Sequence, residues 1–361
     1  MPLYAFGSNG SGQLGIGHDD DVSVPTRCLF DGPEPDALRN GGERTTNVVR
    51  RIAAGGNHTL LLFSDGSVYA AGWNGDGRCG GRACEGVVRF RRVVVGDGVS
   101  FKDVSAGWEG SFLVSTGDEV FVMGSGARGE LGLGEGVVQA TVARAMGGFP
   151  RGMNVVAIAS GMGHAVVVLS SGEVFGWGGA RKGQLGESVR GRRIVWSPVR
   201  ISDVPFRATG AVCGREFTVV MGDKEKGEFV VLGSADHRWN VLSDIPVLGG
   251  YRYMAASWHG VYVHRAGGEV LAWGRNDRGQ LPSEDLPVVR ELAVGSEHVL
   301  ALLDGGRLVA FGWGEHGNCG PVVDEQGNVR GRYNLIPLPL EGESDVVGVG
   351  AGCATSWVVI S

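Results

Sequence analysis

This 361-residue chain has few of the features that announce chemistry. Its six cysteines, Cys28, Cys79, Cys84, Cys213, Cys319 and Cys353, include no CxxC pair and follow no regular spacing. That pattern points to reduced thiols in an intracellular protein rather than a disulfide scaffold. No apolar run reaches the roughly 18 residues a membrane helix requires. The opening Met1-Pro2-Leu3-Tyr4 has neither a charged start nor an apolar stretch, so no signal peptide is expected. Long basic runs are missing and the net charge is −6. A nucleic-acid-binding surface usually leaves a basic stripe or tail, so no direct nucleic-acid contact is expected. GxSxG, HExxH and Walker A motifs are absent as well.

Glycine, by contrast, accounts for 65 of the 361 residues, well above the usual share of about 7%. It shows no Gly-X-Y period and falls at strand ends and turns instead. The glycines punctuate a repeat. Leu3-Tyr-Ala-Phe-Gly7 near the start matches Leu308-Val-Ala-Phe-Gly312 near the end, each followed by a loop and further glycines. The landmark glycine occurs seven times, at Gly7, Gly72, Gly124, Gly178, Gly233, Gly274 and Gly312. A second phrase, Ile52-Ala-Ala-Gly-Gly-Asn-His-Thr59, also has seven copies and precedes every landmark strand but the first. Short apolar runs flanked by turn residues favour strands over helices. Turns such as Ser64-Asp65-Gly66 and Asp304-Gly305-Gly306 make each pair a hairpin.

These features predict an all-β fold: one seven-bladed β-propeller spanning residues 1–361. The N-terminus carries the second half of a hairpin and the C-terminus the first half. Pairing Leu3–Gly7 with Thr355–Ile360 would therefore complete one blade and seal the ring. Outer strands are expected at Val24–Phe30, Arg89–Val95, Gln139–Met146, Trp196–Ile201, Val241–Leu248, Leu286–Leu292 and Tyr333–Leu340, for about four strands per blade. Residues 31–47 and 321–332 read as long loops. The fifth blade diverges most: Arg238-Trp239-Asn240 replaces Gln-Leu-Gly.

Several motifs imitate chemistry. Gly10-Ser-Gly12-Gln-Leu-Gly15 is a literal GxGxxG, but a dinucleotide site needs those glycines to open a helix, and here a turn and strand follow. His58, His164 and His298 share one repeat position, where an imidazole tying a turn to backbone is expected. His18-Asp19-Asp20-Asp21 lacks EF-hand spacing and reads as a solvated turn. His316 and Cys319 have no second pair with which to complete a zinc set. No cofactor, metal or catalytic residue is assigned, and the chain is expected not to be an enzyme.

The phrases Ala54-Gly-Gly-Asn-His-Thr59, Trp177-Gly178 through Gln184-Leu-Gly186, and Trp273-Gly-Arg-Asn-Asp-Arg-Gly-Gln-Leu281 resemble the repeats of the regulator of chromosome condensation family of seven-bladed propellers. The ends, at 4–21, 312–321 and 352–357, resemble its fungal tubulin-suppressor, killer-toxin-insensitivity branch. That resemblance implies a heterodimer with a small CSL zinc-finger, metal-binding protein of diphthamide synthesis. It further implies indirect support of Elongator-dependent wobble-uridine modification of tRNA and of the diphthamide modification of elongation factor 2, with a cytoplasmic and nuclear location. The family name suggests an alternative, guanine-nucleotide exchange on a Ran-like GTPase.

Hairpin geometry places the residues entering the first strand and those leaving the second on one face. That face collects Trp73, Asn74, Trp108, Glu109, Trp258, His259, Trp313, Glu315 and His316, which are the expected partner-binding residues. Asn57, Asp76, Arg128, Arg181, Arg215, Glu216, His237, Arg238, Arg275, Asp277 and Glu297 lie on the same face. Tryptophan and arginine are the usual anchors of protein interfaces. Trp177 and Trp273 precede their landmark glycines and are expected to pack between blades.

Overall fold

In the second strand of a repeat nearly every residue is apolar or small, without alternation, as in His58–Phe63, His164–Leu169 and His298–Leu303. Such a strand must be covered on both faces. In the computed structural model, which describes residues 1–35, 48–233, 239, 241–243, 245–340 and 344–361, all three are buried along their whole length. Cover comes from neighbouring sheets. Seven antiparallel sheets surround an axis, and the first strand of each repeat lies innermost.

Blade 1 is built from both ends of the chain, in the order Val22–Arg27, Leu3–Gly7, Thr355–Ile360 and Val346–Ala351 from rim to axis. The closing register runs from Leu3 opposite Val359 to Gly7 opposite Thr355, as the sequence predicts. Blades 2, 3, 4 and 7 also have four strands, starting innermost at Val49, Phe101, Val155 and Val289. Pro25 and Pro198 lie on rim strands, where a missing N–H breaks no ladder.

Among the described residues, blades 5 (Gly210–Gly233) and 6 (Tyr253–Gly274) have three strands each. This corrects two expectations. Among its described residues, Val241–Leu248 forms no strand; Val241 and Leu248 are nonetheless buried against Phe217, Val219 and Val261. Leu286–Leu292 is not a rim strand either: from Val289 onward it is the innermost strand of blade 7. Pro246 and Pro287 interrupt these segments, and the short spans before Tyr253 and Val289 leave little chain for another pass. Most of the expected loop at 31–47, together with His237, Arg238 and Asn240, lies outside the described residues.

The landmark glycine has a steric cause. Gly72 adopts φ +116, and a Cβ there would sit 2.3 Å from the Asn57 carbonyl oxygen. The kink lets the next N–H, of Trp73, donate to that oxygen at 2.8 Å. The same bond recurs from Ser8 to Ala354, Ser125 to Glu109, Gly179 to Gly163, Arg275 to His259 and Trp313 to Glu297. In six of the seven blades, then, the repeated phrase records one backbone bond that joins the third strand to its blade's entry loop; Gly233 of blade 5 lacks the positive φ.

Blades are tied to their neighbours by buried hydroxyls. Thr59, Ser111, Thr218 and Ser356 each donate to a loop carbonyl of the preceding blade, at Gln13, Arg78, Gln184 and Asn318. His164 Nε2 lies 2.8 Å from the Thr218 hydroxyl, and His298 Nε2 lies 2.9 Å from that of Ser356. Because each hydroxyl already donates to a carbonyl, the imidazole must be the donor, which fixes the Nε2–H tautomer. These histidines thus reach the next blade's hydroxyl rather than a turn's backbone, and His58 is buried without such a partner. Trp177 is wholly buried, its Nε1–H donating to the Glu130 carbonyl of blade 3, and Trp273 donates to the Val241 carbonyl.

Candidate partner-binding face

Small residues where the innermost strands end, such as Ala53-Ala54-Gly55, Ser105-Ala106-Gly107 and Ala159-Ser160-Gly161, leave an axial channel, a cavity of about 270 Å³. At one mouth of this channel, the loops entering the second strands converge. Trp108 of blade 3 and Trp258 of blade 6 meet there, with ring centroids 5.7 Å apart and planes tilted by 53°. Both are half-buried. Their backbones are anchored: Gly56 N–H donates to the Trp108 carbonyl, Arg215 N–H to the Trp258 carbonyl, and Trp258 N–H to the Ser296 carbonyl. The indole of Trp108 packs on Gly56, where a Cβ would come within 2.9 Å of the ring. The exposed Arg215 guanidinium lies 5.7 Å from the Trp258 ring, within reach of a cation–π attraction.

Beside this pair, blades 6 and 7 share a buried carboxylate. Glu297 accepts from Gln280 at 2.6 Å and Arg275 at 3.0 Å, and lies 3.1 Å from His259 Nδ1. Burial opposes ionisation of Glu297, but the bonds from His259 and Gln280 and the charge of Arg275 outweigh it and lower its pKa. Arg275 also holds Asp277 with two bonds and covers the Trp239 ring at 4.9 Å. On the other flank, Arg78 grips Asp76 through Nε at 2.9 Å and Nη2 at 2.6 Å, with both residues buried. There too burial resists ionisation, and bonds from Arg78 and Ser125 overcome it. Glu109 stands 3.8 Å from Arg78, exposed.

A third cluster bridges blades 7 and 1. Trp313 Nε1–H donates to Glu315 at 3.0 Å, and the His316 ring meets Trp313 edge-on at 5.3 Å. His316 Nδ1 lies 2.8 Å from Asp21, whose other oxygen accepts the Asn9 N–H at 2.6 Å. Asp21 therefore ties the closing blade to its neighbour, a role that reading the segment as a solvated turn did not foresee.

Trp73, Trp108, Glu109, Trp258, His259, Trp313, Glu315 and His316 all reach this face with exposed or half-exposed side chains. Asn74 does not. It is 1% exposed; its amide donates to the Gly80 and Arg82 carbonyls and accepts from Cys79 N–H. Asn9 and Asn276 likewise cap the backbone N–H five residues on, so this asparagine shapes the loop rather than meeting a partner. Gln13, Gln184 and Gln280 play a similar part, each accepting the N–H two residues earlier. The GxGxxG phrases are thus loop closures. Arg78, Trp239 and Gln280 were not singled out for this face. Only Gln280 carried a signal, and that signal was the repeat itself. Among the described residues, no group of three or more histidine, cysteine or acidic side chains is placed to hold a metal.

A family model described as RCC1-like domain matches residues 2–358. The chain belongs to the RCC1-like domain family. An RCC1 repeat-containing protein of Schizosaccharomyces pombe is 30% identical, covering 99% of this chain and 98% of its own. The secretion-regulating guanine nucleotide exchange factor of Bos taurus is 27% identical over 97% of this chain and 81% of its own. Among solved structures, Prp20p of Saccharomyces cerevisiae superposes with a TM-score of 0.79 at 19% identity, covering 99% of this chain and 90% of its own. At that identity the likeness concerns the fold alone. As an RCC1-like propeller, the chain places its loops on a scaffold shared with these proteins, while the Trp108–Trp258 pair and its flanking ion clusters are read from its own side chains.

Proposed function

We propose that this RCC1-like propeller is a non-enzymatic adaptor that pairs with a small CSL zinc-finger protein of diphthamide synthesis. Through that partner it supports Elongator-dependent tRNA modification and diphthamide formation on elongation factor 2. The observation carrying this reading is the Trp108–Trp258 pair at the channel mouth, half-exposed, anchored by its backbone and flanked by Arg215. Rigid aromatic side chains beside arginine at the centre of a surface are what interface anchors consist of. The partner's identity rests on the resemblance of segments 4–21, 312–321 and 352–357. The fold brings all three together at the junction of blades 7 and 1.

The test is binding of the purified CSL protein to Trp108→Ala/Trp258→Ala. Loss of two central anchors in contact should weaken affinity by at least about 30-fold, the effect of a single hot-spot truncation of roughly 2 kcal/mol, and by up to about 1,000-fold if the two losses add. The melting temperature should stay within a few degrees, because the anchoring bonds are backbone bonds. Unchanged affinity would show that the partner sits elsewhere. The second reading, nucleotide exchange on a Ran-like GTPase, draws on the name of the bovine relative. Stimulated GDP release from Ran by this chain would favour it over the adaptor reading.

A further inference from the structure

The loop face is electrically divided. In the long loop of blade 4, Arg181, Arg192 and Arg193 are exposed and Lys182 is half-exposed. None of their side chains makes an ion pair or hydrogen bond among the described residues, whereas Arg190 in the same loop is paired with Glu187. Exposed Arg128 and Arg215, on the flanking blades 3 and 5, stand beside Glu130 and Glu216, so the excess of positive charge belongs to blade 4. Arg193 holds φ +60, a left-handed conformation disfavoured for L side chains, so a cation stands where glycine would fit more easily.

Across the same face, blades 7 and 1 present Asp19, Asp20, Glu315, Asp324 and Glu325, all exposed. In a ring of seven, blade 4 stands opposite the junction of blades 7 and 1. The two halves are therefore diametrically opposed, with the Trp108–Trp258 pair between them. Against a net charge of −6, the cluster on blade 4 is a local reversal of sign.

From this division we infer that the face accepts a protein partner in one rotational setting, with an acidic surface of the partner on blade 4 and a basic one over blades 7 and 1. The inference builds on the reading of this face as a protein-binding site. Opposite charges suit opposite charges, and juxtaposing like charges selects against other orientations and other partners. A nucleic acid is negative throughout, so it would gain on blade 4 and be repelled from blades 7 and 1, which favours a protein as the occupant.

Association rates of the CSL zinc-finger protein would be measured at about 50 mM and about 0.5 M salt, where the screening length falls from above 10 Å to a few ångströms. Fluorescent oligo-glutamate and oligo-lysine peptides and a single-stranded RNA would serve as partner-independent probes. The quadruple variant Arg181→Glu/Lys182→Glu/Arg192→Glu/Arg193→Glu should slow association about tenfold or more at low salt, with little change in dissociation, and the difference should vanish at high salt. Arg181→Ser/Arg193→Gly removes two charges while relieving the backbone at 193, and should give a smaller slowing in a protein at least as stable.

Oligo-glutamate should cross-link to blade 4 and oligo-lysine to blades 7 and 1. Both peptides on the same blades, or salt-independent association, would overturn the inference. RNA displacing oligo-glutamate and binding more tightly than the CSL protein would also overturn it and make nucleic acid the occupant. If the CSL protein binds nowhere while the peptides still separate, the partner's identity fails and the divided face stands. If it binds at a rate indifferent to salt and to these variants, the identity stands and the division has no role.

Discussion

His164 and His298 are buried donors whose ring nitrogens face the next blade. Burial holds both pKa values down, to about 4, and that of His58 to about 3. The unfolded chain protonates these imidazoles near pH 6.5, so below that pH it takes up more protons than the native ring. Stability is therefore fully present above the unfolded value and declines as the pH falls toward 4. The slope approaches about 1.4 kcal/mol per pH unit for each histidine titrating. Urea denaturation between pH 7 and 4.5 should show this decline, and His298→Gln should lessen it. A second residue-scale prediction concerns Asn74. Replacement by alanine should cost about 1–3 kcal/mol of stability through lost loop bonds. It should leave partner affinity nearly unchanged in the folded fraction, as measured by calorimetry. The repeat placed Asn74 in the loop that follows the landmark glycine, but a spacing cannot show whether an amide turns outward or back onto its own loop. His164 was legible as structural for the same reason it repeats, whereas its tie to Thr218, 54 positions on, was not.

Strand identity was legible wherever a phrase repeats, because a doubly covered strand needs an unbroken apolar run and a positive-φ glycine ends it. The rim strands carry no such phrase. They face solvent on one edge, and their side chains are free to vary. Val241–Leu248 and Leu286–Leu292 looked like rim strands because they are apolar, yet one packs without pairing and the other belongs mostly to the next blade's centre. Among the described residues, two rims therefore end on a third strand. Hydrogen exchange should report it: amides of Val270–Gly274 should exchange about tenfold or more faster than those of Val174–Gly179, which Ile194–Ile201 covers. Equal protection would mean that another segment pairs with the rim of blade 6.

For the whole molecule, closure was the most legible feature, because each end carried the half-hairpin the other lacked. The face was legible in outline from hairpin direction, but the meeting of Trp108 with Trp258 depends on a ring that brings blades 3 and 6 across the axis. Ile360 N–H reaches the Pro2 carbonyl at 3.0 Å, so Ser361 and Met1 lie close together. A permutant joined there and opened in the exposed Gly96–Asp97–Gly98 turn should fold with native circular dichroism and bind the CSL protein as the parent does. Deleting residues 1–7 should broaden the melt and lower its midpoint, since the inner half of blade 1 then loses its cover.

The register of Leu3 against Val359 also sets a clock. A ribosome adds about 5–20 residues per second, so the first-made strand must wait on the order of tens of seconds for its neighbour to be translated. Throughout that interval its unpaired edge is exposed to every other nascent chain nearby. Brief synthesis pauses late in the message, or a holdase that recognises bare strand edges, should therefore alter the yield of this protein more than that of an equally stable protein whose sheets finish in the order they are made.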